Sequence, residues 1–131
     1  DRVASALLHL YDLVPNVGGL YPQAGQELWR AVTGVEPLLR GQVARLTSLD
    51  RIEAQMPGSR AATAAVEAGG IVTARLRAGA DALEDLIAAA VRMLAAPDVG
   101  DGVPDALAPA IDSLDAFAYG LHAADSARLG Q

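Results

Sequence analysis

At 131 residues the chain has room for one domain that buries a core of its own. A formal charge of −6, carried with ten scattered arginines and no lysine, excludes an electrostatic nucleic-acid binder, which needs clustered cations against phosphate. The lack of cysteine excludes disulfides and thiolate metal sites, and no apolar run approaches the roughly 18 residues that a spanning helix needs.

Apolar residues make up 52% of the chain, yet Ala, Leu and Val carry that share, with one Phe, one Trp and three Tyr. Small side chains of this kind suit close helix–helix packing more than a thick aromatic core. The chain opens on Asp1, without Met, inside a helical pattern. It reads as a single helical-bundle domain, an excerpt or processed piece of a longer protein, and it shows no signal-peptide pattern. Its localisation is not legible.

A first helix is expected over residues 2–14. Val3, Ala6, Leu7, Leu10, Leu13 and Val14 form one face, and Arg2, Ser5, His9 and Asp12 line the other. Pro15 is expected to end it, with Asn16-Val17-Gly18-Gly19 as a loop. A second helix is expected over 22–56, opened by Pro22 in its first turn, where the missing N–H costs little. Its seam is Leu28, Val32, Val35, Leu39, Gln42, Leu46, Leu49, Glu53 and Met56, spaced by fours and threes. Pro37, with Gly34 and Gly41 on either side, predicts a kink or a break between 34 and 41.

Met56-Pro57-Gly58-Ser59 then reverses the chain, with Ser59 placed to cap the third helix, 59–96. That helix carries the longest stripe in the chain: Ala62, Ala65, Gly69, Val72, Leu76, Gly79, Leu83, Leu86, Ala90 and Met93. Val66, Ala80, Ile87 and Leu94 widen it. Arg77 and Asp81, four apart on the outer face, are spaced for a surface ion pair. Pro97 ends the helix, 98–103 reads as loop, and a fourth helix runs over 104–128 on the seam Leu107, Ile111, Leu114, Ala118 and Leu121. The fold expected is all-α, an antiparallel up-and-down bundle of four main helices, because short connections favour antiparallel neighbours.

The chemistry-bearing residues are sparse. Asp112, Asp115, Tyr119 and His122 share one stripe of the fourth helix, and His9 and Asp12 lie one turn apart on the first. Carboxylate-bridged metal sites in bundles use Glu-x-x-His pairs, which are missing, so no metal is expected. Asp98, Asp101 and Asp105 lack the alternating order of a calcium loop. No serine stands in a Gly-x-Ser-x-Gly elbow, and no glycine loop has the spacing and Lys of a phosphate cradle. Neither an enzyme nor a cofactor is expected.

Three features stand out from the pattern. Gln42 is a polar residue in an apolar seam, and a buried amide needs partners or costs stability. Gly69 and Gly79 each give up about 1 kcal/mol of helix propensity relative to Ala, which points to close packing. Tyr11, Tyr21 and Trp29 cluster around the first turn, as a partner anchor or as a cap on the bundle end. The positions expected to serve in packing or ligand contact are therefore Gln42, Gly69, Gly79, Tyr119 and His122.

In composition the chain resembles small exported acidic Ala-rich helical hairpins, which carry Trp-x-Gly at the turn and Tyr-x-x-x-Asp/Glu after the second helix. Neither motif is present. Trp29 is followed by Arg30-Ala31 and stands far from Pro57-Gly58, and Tyr119 is followed four places later by Ala123. No family is assigned on this basis.

The function expected is a non-enzymatic helical domain for protein–protein interaction or self-association, a scaffold or accessory. The alternative is a ligand-sensing bundle, extracytoplasmic in a receptor or regulator, with a small molecule held near Gln42, Pro37 and Tyr119. The partners expected are a protein or a second copy, with a small-molecule ligand in the alternative. Nucleic acid is not expected, nor is membrane insertion of this segment.

Overall fold

The first change of direction is set by Tyr21-Pro22. A residue before proline is pushed out of the helical region by the proline ring, and Tyr21 sits at φ −136°, ψ 86° as the single non-helical residue between two helices. A computed structural model describes residues 2–95 and 107–129, with side chains in the last helix as far as Ala124. It contains four helices: α1 (Arg2–Leu20), α2 (Pro22–Gln55), α3 (Arg60–Ala95) and α4 (Ala108–Leu129).

The end of α1 corrects the expectation from sequence. Pro15 lies inside the helix, which runs on to Leu20 where an end near residue 14 was expected. The missing N–H costs one ladder bond at an exposed position. In return the added turn buries Val17 completely and brings Gly18 onto Gly25 of α2. Packing outweighs the local proline rule here. Pro37 is likewise carried within an unbroken α2, so the two-helix alternative is not realised.

The second reversal follows expectation. Gly58 takes the left-handed φ of 77°, a conformation that costs glycine little. The Ser59 hydroxyl accepts from the Ala62 N–H at 3.0 Å and donates to the Met56 carbonyl at 2.6 Å, capping α3 and closing the turn. The helix end expected at Pro97, the helix start expected at Pro104 and the aspartate loop between them lie outside the described residues. Leu107 and Ile111 then dock α4, both buried.

The helices are arranged as an antiparallel bundle with α2 and α3 at its centre. α1 packs on both of them and so does α4, but among the described residues α1 and α4 share no contact. They flank the central pair from opposite sides. Leu10 from α1, Leu28, Val32, Val35 and Leu39 from α2, Leu83, Leu86 and Met93 from α3, and Leu114 from α4 are all fully buried between them. Phe117 of α4 and Leu39 of α2 converge on Gly79 of α3, where three helices meet.

Ion pairs tie the flanks to the centre. Arg2 reaches Asp81 at 2.7 Å and Glu84 at 2.9 Å, joining α1 to α3, so Asp81 pairs across helices. Arg30 reaches Asp115 at 3.0 Å, joining α2 to α4. These side chains are about half to two-thirds exposed, so water and salt screen the pairs strongly.

The central helices outrun the flanking ones. α1 begins alongside Val43 of α2 and Thr73 of α3, and Ala124 of α4 lies at the level of Ser48 and Ala68. From those levels α2 and α3 continue toward the Pro57-Gly58 turn as a two-helix arm, and α4 itself runs on from Ala124 to Leu129. Ala62, Ala65 and Val72 are buried along its seam, Leu46, Leu49 and Gly69 are half-buried, and every residue from 50 to 58 is exposed.

Candidate functional site

Two surfaces concentrate the chemistry. The first is the outer groove between α1 and α2, where Val3, Ala4, Leu7 and Leu8 face Val43 across a cleft of about 590 Å³. Its polar end is built by Tyr11, Glu36 and Arg40. The Tyr11 hydroxyl donates to Glu36, and Arg40 holds the same carboxylate at 2.7 Å. Burial, and then the hydrogen bond to Glu36, push the Tyr11 phenol up to about 12, so it stays a donor throughout the neutral range. Trp29 meets the Tyr11 ring edge-on, with centroids 5.6 Å apart at 65°. A second cleft of about 440 Å³ adjoins the first, sharing these three residues and adding Thr33 and Pro37. Pro37 has no N–H for the Thr33 carbonyl, which leaves that acceptor without its usual helical donor. Leu8, 68% exposed, lines the groove, and Trp29, 52% exposed, reaches it only through its contact with Tyr11.

The second surface is the face of the arm that continues the track of α4. On α2 it is the series Arg45, Leu49, Ile52 and Met56, spaced by four, three and four. On α3 it is Ala61, Ala64, Ala68, Ile71 and Arg75, spaced by three and four. A cleft of about 450 Å³ bounded by Arg45, Leu49, Ala68, Ile71, Arg75 and Ala124 shows that both series face the same side. Ile52, Met56 and Ile71 are 38%, 50% and 57% exposed. The described residues around the cleft include two arginines and no carboxylate. Val66, 54% exposed, lies on the opposite face of the arm.

The residues expected to matter fall in separate places. Gln42 is buried to 1% exposure, as its seam position requires, and its Oε1 has no hydrogen-bond partner among the described residues. A buried acceptor left unpaired costs about 1–3 kcal/mol. Gln42→Leu is therefore expected to raise the unfolding free energy by about 1–2 kcal/mol in urea denaturation. A loss of stability in that variant would show that the amide is satisfied in solution.

Gly79 is closely packed, as expected, because a Cβ there would stand 2.7 Å from Leu39 Cδ2. Gly69 is not, since its added Cβ would meet Leu46 at an ordinary 3.8 Å. Tyr119 is 75% exposed and His122 is also exposed, so neither covers the core edge. Pro37 lines the α1–α2 groove, whereas Gln42 and Tyr119 do not; the three are not gathered around one cavity.

The carboxylate stripe of α4 is divided too. Asp115 is held by Arg30, and α4 lies across the bundle from His9, whose Nδ1 sits 2.8 Å from the Ser5 carbonyl. Among the described residues no three His, Asp or Glu side chains gather as metal ligands would. Among them, too, no helix is long and apolar enough to cross a membrane.

Sequence reasoning missed the Tyr11–Glu36–Arg40 cluster. The Glu36/Arg40 spacing of four was a visible signal, but Tyr11 arrives from another helix. Comparison with protein-family models, with curated proteins and with solved structures finds no match for this chain.

Proposed function

We propose that the chain is a non-enzymatic helical module for protein–protein interaction, with the α2–α3 arm as its contact element. The observation that carries this reading is the arm itself. The two longest helices pair as far as the turn that joins them, and the apolar series on their α4 side is left exposed at Ile52, Met56 and Ile71. A helix pair that buries only a narrow Ala-rich seam gains little from standing alone in water. Covering that face with another helix adds the burial that α4 supplies higher up.

The test is site-specific photocrosslinking in the native cell. A photoreactive side chain at Ile52 or Met56 is expected to capture protein adducts, and one at Arg92, on the body of the bundle, is not. Adducts from Arg92 alone, or none from the arm, would overturn the reading.

One observation favours a second reading, a ligand-sensing bundle. The α1–α2 cleft, at about 590 Å³, has the size of a small-molecule site and a few convergent polar groups at one end. Its mark would be a mass above that of the bare chain in non-denaturing mass spectrometry.

A further inference from the structure

We infer that the cleft between α1 and α2 binds a primary alkylamine of about eight carbons, with its ammonium on Glu36 and its chain along Leu7 and Leu8 toward Val43. The inference rests on the ligand-sensing reading, to which it gives a chemical class, and is independent of the arm.

Three observations lead to it. The first is the inventory of donors and acceptors at the polar end. Tyr11 gives its O–H to Glu36, and the Thr33 hydroxyl gives its own to the Trp29 carbonyl at 2.8 Å. Those donors are committed. What remains are acceptors: the free lone pairs of the Glu36 carboxylate, the Tyr11 oxygen, and the Thr33 carbonyl, which Pro37 leaves without its usual helical donor. Tyr11, Thr33 and Glu36 border one cleft of about 440 Å³, which adjoins the apolar one. An ammonium group carries three donors and no acceptor, so it answers that set one for one. A carboxylate head brings only further acceptors.

The second observation is charge. Glu36 is only 19% exposed, whereas Arg40, which holds it at 2.7 Å from one turn along the same helix, is 76% exposed. A pair so open to water on one side is weak, and Arg40 turns out into solvent at little cost when another cation arrives. The ammonium then neutralises the carboxylate from within the cleft. A net charge of −6 on the chain draws cations toward it.

The third is shape. From Glu36 to Val43 the cleft follows α2 for seven residues, about 10 Å at 1.5 Å per residue. An extended carbon chain advances about 1.2 Å per bond, so about eight carbons span that distance. The α1 wall beside it is Val3, Ala4, Leu7 and Leu8, without a polar side chain. Leu8, largely exposed, is covered by such a chain.

The test reads the fluorescence of Trp29, the single tryptophan, whose ring lies 5.6 Å from that of Tyr11. The full 131-residue chain is titrated with octylamine, octyltrimethylammonium and octanoate, each below its micelle-forming concentration. Octylamine is expected to bind one to one and at least about tenfold tighter than either of the others. The trimethyl probe keeps the charge and the chain but has no N–H, so it separates hydrogen bonding from general attraction. Glu36→Gln and Leu8→Lys are each expected to weaken octylamine about tenfold or more. Asp112→Asn, which removes a charge from α4 on the opposite flank, is expected to leave it unchanged.

Octanoate or octyltrimethylammonium binding as tightly as octylamine would overturn the amine and leave the cleft standing as a ligand site. An octylamine affinity that Glu36→Gln leaves unchanged, or that Asp112→Asn lowers as much, would also overturn the inference. Should Glu36→Gln fail to fold, Leu8→Lys, at an exposed position, still decides. No saturable octylamine binding alongside a bound mass in non-denaturing mass spectrometry would sink this inference alone, and absence of both would sink the reading beneath it.

Discussion

Gly25→Ala is expected to lower the unfolding free energy by about 3 kcal/mol, a large share of the stability of a domain this size. A methyl group at Gly25 would stand 2.5 Å from the Gly18 Cα and 2.9 Å from the Gly18 nitrogen. Both are backbone atoms, so no rotamer change relieves the contact. The two helices must separate by about 1 Å to restore ordinary carbon–carbon spacing. Tyr21 alone joins them, and the fully buried Val17, Ala24 and Leu28 pack beside the crossing, so separation opens the core at that end.

Gly34 and Gly41 on the same helix provide the control. Nothing lies within 4 Å of a Cβ added at either, and Ala there is expected to gain about 0.5–1 kcal/mol from helix propensity. Urea denaturation of the three variants should therefore give opposite signs along one helix. A Gly25→Ala variant within about 0.5 kcal/mol of the parent would refute the close crossing.

Gly79→Leu is expected to cost about as much, roughly 3 kcal/mol, through overpacking. A Cβ at Gly79 meets Leu39 Cδ2 at 2.7 Å and the Phe117 ring at 3.1 and 3.2 Å. Leu39 is fully buried and cannot swing into solvent, and the ring belongs to a different helix. The remaining leucine atoms have no free volume, so α4 is pushed off the central pair. Melting should fall by roughly 10 °C, from the usual scaling for a domain of this length. An unchanged melting temperature would mean that α4 does not sit on Gly79 in solution. Gly69→Ala, with ordinary 3.8 Å spacing to Leu46, should be neutral or mildly stabilising by contrast.

These glycines show where reading the sequence succeeds and where it stops. The stripe on α3 was legible because helical periodicity is local: Ala62, Ala65, Val72, Gly79, Leu83, Leu86, Ala90 and Met93 are all buried. Gln42 was legible for the same reason. That Gly79 is tight and Gly69 is not depends on which side chain of another helix lies opposite, and one helix's pattern does not carry that.

Pro15 was misread for a related reason. The proline rule weighs one lost hydrogen bond, while the gain from burying Val17 and seating Gly18 on Gly25 comes from residues across the crossing. The true break was written in Tyr21-Pro22, where the pre-proline restriction is a local rule. Of the candidate surfaces, the arm was partly visible. The second and third helices were expected to be much longer than the other two, and unequal lengths leave something uncovered. The groove with Tyr11, Glu36 and Arg40 was not, because it exists only once α1 and α2 lie side by side.

That α1 and α4 never touch among the described residues bears on how the two candidate surfaces communicate. A ligand between α1 and α2 and a helix seated below α4 occupy opposite flanks, so no direct contact carries coupling energy between them. Whatever one does to the affinity for the other must pass through a rearrangement of α2 or α3, and by linkage it acts equally in both directions. Pro37, set within α2 beside one surface and two turns from Arg45 at the other, is the point of that shared helix with the fewest ladder bonds to resist such a change.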